Sequence, residues 1–125
     1  MEKMRINNSG NEEIENVEEV EEMSDEELQE KIENMKSFAL NGKNYAIKKY
    51  DFNSIVRLEE LGFNLEKCYS MKSLRAIIAY HTGMSTEKTG IAIQEHVKKT
   101  GQKGLSNLYL VVATLEQSDF FKSLL

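Results

Sequence analysis

Asn41-Gly42 lies between two short alternating stretches, Phe38-Ala39-Leu40 and Lys43-Asn44-Tyr45-Ala46-Ile47. No other feature limits the possible folds of this chain so tightly. A two-residue type I′ turn needs positive φ at both central positions, and Asn-Gly adopts that geometry readily. The turn fixes a register: Leu40 faces Lys43, Ala39 faces Asn44 and Phe38 faces Tyr45. Phe38, Leu40, Tyr45 and Ile47 then share one face. A lone hairpin is marginal in water, so that face has to pack on something. The next residues offer the partner. Asp51 or Asn53 caps a helix carrying Phe52, Ile55, Val56, Leu58 and Leu61, and Gly62 ends it.

Further helices are marked by their caps. Ser24-Asp25-Glu26-Glu27 is a capping box, followed by Leu28, Ile32 and Met35 at helical spacing. It predicts a short helix near 25–35, which has to dock to persist. Ser70 caps a helix over 71–81 with Met71, Leu74, Ile77 and Ile78 on its apolar side. Ser85 or Thr86 starts another, ending at Gly101, with Ile93 and Val97 on one face. Gly90 inside it suggests close packing of another element. Gly104 opens a last helix through Leu105, Leu108, Tyr109, Val112 and Leu115. Phe120, Phe121, Leu124 and Leu125 close the chain and are expected to be buried, in the core or between subunits. The fold class is therefore mainly α (α+β): a β-hairpin packed on a bundle of three to four helices.

An acidic N-terminal extension precedes this unit. Residues 1–37 carry 13 acidic and 4 basic side chains, whereas residues 38–125 carry 8 and 12. Charge of −9 beside +4 divides the chain into an extension, 1–37, and a hairpin-plus-helix domain, 38–125. Ile14, Val17, Val20 and Met23 recur every third residue among the glutamates of the extension. Like-charge repulsion leaves residues 1–23 disordered, or helical only against a partner. No segment is long and apolar enough to span a membrane, and the acidic start is not a signal peptide. The single Cys68 excludes an internal disulfide.

Reaction chemistry is hard to find. His81 and His96 lie on different helices without an H-x-x-x-H partner and read as surface or rim residues. Glu59 falls in the apolar arc of its helix and is expected to reach the rim. Cys68 reads as a half-buried filler. No catalytic, cofactor-binding or metal residue stands out. Lys98-Lys99-Thr100-Gly101-Gln102-Lys103-Gly104 places G-x-x-G between two helices with flanking lysines, the kind of loop that clamps nucleic-acid backbone. G-x-x-G is weakly specific and the strands that accompany such a clamp are lacking, so the segment reads first as a helix C-cap and a turn, each needing a glycine.

Taken in order, several stretches of residues 38–125 resemble the tail assembly chaperones of long-tailed (siphovirus-type) phages and prophages of Gram-positive bacteria. They are F-A-L-N-G-K-N-Y, D-F-N-S-I-V-R-L-E-E-L-G, M-K-S-L-R-A-I-I-A-Y, the T-E-K-T-G helix start and G-L-S-N-L-Y-L-V-V-A-T-L-E-Q-S-D-F-F. The acidic extension departs from the short N-terminus of that family. The resemblance implies a non-catalytic, self-associating assembly factor in the host cytoplasm that is absent from the mature virion. Such a factor binds the tape-measure protein, a long helical molecule, while tail-tube subunits polymerise around it. Phe52, Val56, Phe120 and Phe121 are the candidate partner-binding residues. A small nucleic-acid-binding regulator and a structural tail subunit are the alternatives.

Overall fold

A computed structural model describes residues 23–125. The expectations for residues 1–22 lie outside the described residues. The elements are α1 (Asp25–Glu33), β1 (Ser37–Leu40), β2 (Lys43–Ala46), α2 (Phe52–Glu60), α3 (Met71–Thr82), α4 (Thr86–Glu116) and α5 (Asp119–Ser123). The architecture is a two-stranded antiparallel hairpin on a mainly helical domain, as the patterning implies.

The hairpin register is the one set by Asn41-Gly42. Phe38 pairs with Tyr45, Ala39 with Asn44 and Leu40 with Lys43. Asn41 and Gly42 both take positive φ, 52° and 86°. Phe38 and Tyr45 stack with ring centroids 5.8 Å apart. Phe38 and Leu40 join Ile55, Leu58, Leu74, Ile77, Leu108, Val111 and Leu115 in one core. The apolar face of the hairpin thus closes one side of the helical bundle and meets the desolvation demand that made it need a partner.

Caps start the helices where the sequence places them. Ser24 forms the reciprocal box with Glu27, and Asp51, Ser70 and Ser85 each accept an N–H from three residues on. Gly83 ends α3 in the left-handed region. Ile32 buries α1 against the domain, so this helix belongs to the folded unit. Ser24→Ala removes one half of the box and is expected to cost α1 about 1 kcal/mol. Faster amide exchange over residues 25–33, with exchange in α3 unchanged, is the check.

The two expected helices are both present as the two arms of α4, and the first ends at Gly101 as the sequence places it. Only Gly101 leaves helical geometry, at φ 74° and ψ −158°, so the helix kinks there without a loop. Gly104 opens nothing: it lies buried inside the second arm, and Ser106 and Asn107 are helix interior. The reason is steric. Gly101 alone absorbs the change of direction, so no further turn residues are needed.

The histidines also differ from expectation, since both are buried. His81 Nδ1 accepts the Lys48 backbone N–H at 3.1 Å. Its Nε2–H therefore donates to the Tyr50 hydroxyl at 2.7 Å. Tyr50 donates to Thr114 Oγ1 at 2.8 Å, and Thr114 donates to the Val111 carbonyl at 2.6 Å. A directed chain of hydrogen bonds thus ties the segment after β2 to α3 and α4. His96 Nδ1 accepts the Asn41 N–H at 2.9 Å and holds the turn. Burial costs are met by these bonds, which is why histidines rather than apolar residues occupy the two positions.

At the C-terminus the expectation divides. Phe121 is in the core and Phe120 packs half-buried against it, but Leu124 is 48 % exposed and Leu125 93 %. Helix α5 is one short turn that ends before the leucines can reach the core.

A candidate partner-binding groove

Met71 and Leu74 sit three apart at the start of α3, immediately after the Ser70 cap. Gly90, Ile93 and Val97 follow at i, i+3, i+7 on the first arm of α4. These residues and Leu105, from beyond the kink, line a groove of about 440 Å³. Lys72 and Arg75 complete its wall. Gly90 widens the groove rather than admitting a close-packed element. A Cβ built there meets only Arg75 Cδ, at 3.6 Å. Met71 is 75 % exposed, so the mouth of the groove offers a large apolar side chain to solvent.

The four residues singled out from sequence do not form one site. Phe52 and Val56 lie one turn apart on α2, on an exposed face, and line no part of the groove. Phe121 is inside the core and unavailable to a partner. Phe120 is partly covered by the same core. The groove residues were each visible as periodic apolar positions. What the sequence lacked was a sign of which side of α3 stays uncovered. Gly90, a glycine inside a helix, was the only local hint.

The lysine-flanked G-x-x-G segment does not form a clamp. Gly104 is buried, Lys99 Nζ donates to Asn41 Oδ1 at 2.9 Å, and Lys98 stands 3.8 Å from Glu95. A second cavity of about 420 Å³ lies beside it, between α1, the hairpin turn and the kink, with Lys31, His96, Thr100 and Asn107 among its walls. Glu59 is exposed, as expected for a rim carboxylate. Cys68 is half-buried and donates to the Leu65 carbonyl, and burial raises its thiol pKa. Such a thiol is a poor nucleophile. Among the described residues no group of three or more His, Cys, Asp or Glu side chains could hold a metal ion. Among them, too, no helix is long and apolar enough to cross a membrane.

Comparison of the chain with protein-family models, curated proteins and solved structures finds no match.

Proposed function

We propose that this chain is a non-catalytic tail assembly chaperone. It binds an apolar helical segment of a tape-measure protein during tail-tube assembly, as a homo-oligomer in the host cytoplasm, and is absent from the mature virion. The solvent-open apolar groove between α3 and α4 carries the reading. A helix laid in an apolar groove gains affinity from burial at i, i+3, i+4 and i+7 anchors. The resemblance of the motif order over 38–125 supplies the identity of the client.

Co-expression with a candidate tape-measure protein tests the proposal. The client is expected to stay soluble and co-purify with the unaltered chain. Met71→Asp combined with Val97→Asp is expected to lower that affinity at least tenfold, since each buried anchor contributes about 1.5–3 kcal/mol. An unchanged melting temperature in the double variant shows that the fold is retained. A client equally soluble alone, or equally bound by the double variant, overturns the assignment. Mass spectrometry of purified virions separates the chaperone from a structural tail subunit, which would be present in them.

A further inference from the structure

One glycine of the groove has no reason in the fold. Four of the described glycines take positive φ. Gly104 has Thr100 pressed against the place a Cβ would take. Gly90 has neither constraint. It lies within the first arm of α4, and only Gly101 departs from helical geometry in that helix. A Cβ at position 90 would meet a single atom from outside its own helix, Arg75 Cδ at 3.6 Å, which is ordinary contact. Glycine weakens a helix interior relative to alanine, because it loses more backbone freedom on folding. The chain thus carries a destabilising residue where the fold accepts alanine.

Its location shows what the missing side chain leaves open. Gly90, Ile93 and Val97 share the α4 wall of the groove, across from Leu74 and Arg75 of α3. Ile93 and Val97 are half-buried and project into the space between the walls. At Gly90 the wall drops to bare backbone, so a recess opens at that end. Met71 lines the same groove and is largely exposed. Its unbranched thioether chain can fold over an occupant of varied shape.

We propose that Gly90 is the specificity-determining residue of the groove: its bare backbone receives a bulky apolar side chain, of leucine, methionine or phenylalanine size, from the client helix. The assignment rests on the client-binding reading and adds what the client has to carry. Any side chain at position 90 would occupy the recess itself, so the glycine gives up helix stability for room.

Stability and affinity are then expected to move in opposite directions. Gly90→Ala and Gly90→Leu both raise helix propensity, so each variant is expected to melt at or above the temperature of the unaltered chain. Affinity for the candidate tape-measure protein is expected to fall about tenfold in Gly90→Leu, as for loss of one buried anchor, and by less in Gly90→Ala. Unchanged affinity in a folded Gly90→Leu overturns the proposal and leaves client binding standing. A lower melting temperature of Gly90→Ala overturns it too, since the fold would then need the glycine.

A second measurement needs no client. Toluene, which is the phenylalanine side chain alone, is titrated at millimolar concentration into the full chain, with methyl NMR as the readout. Saturable shifts are expected at Ile93 and Val97 but not at the core methyls of Leu40 and Val111, and are expected to weaken in Gly90→Ala and vanish in Gly90→Leu. Absent shifts, or equal shifts in both variants, overturn the proposal whether or not the tape-measure protein binds. Shifts that vanish as expected, beside a tape-measure protein that does not bind, keep Gly90 as the residue that forms the recess and overturn the client reading alone.

Discussion

Lowering the pH from 7 to 4 is expected to remove about 3 kcal/mol of stability through His81 alone. Burial, and then the charge of Lys48, push its pKa from the ordinary 6.5 down to about 4. In the unfolded chain the imidazole takes up a proton near pH 6.5. In the folded chain it stays neutral until pH 4. The unfolded state therefore binds more protons throughout that window, and stability falls as pH falls through it. The contribution is complete above pH 6.5. The mechanism is concrete, because a protonated Nδ1 can no longer accept the Lys48 N–H. Among the described residues the ring's neighbours are Phe38, Tyr50, Tyr80 and Lys48, none of which compensates the added charge. His96 shifts in the same direction, chiefly through burial, with the Lys99 charge adding to it and the Gly104 backbone opposing. Asp51 acts elsewhere, since hydrogen bonds from Ser54 hold its pKa below the ordinary carboxylate value and its contribution is lost only under more acid conditions. Urea midpoints between pH 7.5 and 4 provide the measurement. His81→Gln is expected to be less stable at pH 7 and to lose much of the slope. An unchanged slope in that variant would refute the assignment.

Gly104→Ala is expected to cost about 3 kcal/mol, near the upper end for overpacking a closed site. The new Cβ would overlap Thr100 Oγ1, lie 2.5 Å from Thr100 Cβ and lie 3.3 Å from His96 Nε2. Thr100 Oγ1 already donates to the His96 carbonyl at 2.7 Å, so its side chain is not free to move aside. Gly101→Ala acts by a different route. Its φ and ψ fall in a region open essentially to glycine alone, and the strain costs about 1–3 kcal/mol. Gly90→Ala is the internal control. Its Cβ makes ordinary contact only, so a helix-propensity gain of about 0.5–1 kcal/mol is expected. Chemical denaturation of the three variants orders them; equal stability of the alanines at 90 and 104 would defeat the steric account of the kink.

Local chemistry made much of the fold legible. The hairpin register followed from Asn41-Gly42, and helix starts followed from Ser24, Asp51, Ser70 and Ser85, because caps and turns act over three or four residues. Gly101 was readable as an interruption for the same reason. The histidines were not. Their partners, Lys48 and Asn41, lie 33 and 55 residues away. A histidine whose burial depends on a distant backbone N–H looks in sequence like any rim histidine. The groove was half legible: Met71, Leu74, Ile93 and Val97 showed as apolar positions, but which of them stay uncovered depends on how α3 and α4 pack. Phe121 illustrates the converse, a terminal aromatic that reads as a contact residue and serves the core.

The two histidine bonds have a mechanical consequence. One fastens the base of the hairpin to α3 and the other fastens its tip to the first arm of α4. The hairpin therefore acts as a strut of fixed length between the two helices that form the groove walls. Sliding or spreading of those walls requires a histidine to release its amide, so the two hydrogen bonds brace the groove from residues that do not line it. Under the proposed function, a groove braced in this way would meet a helical client already shaped, and the conformational cost of binding would fall on the client.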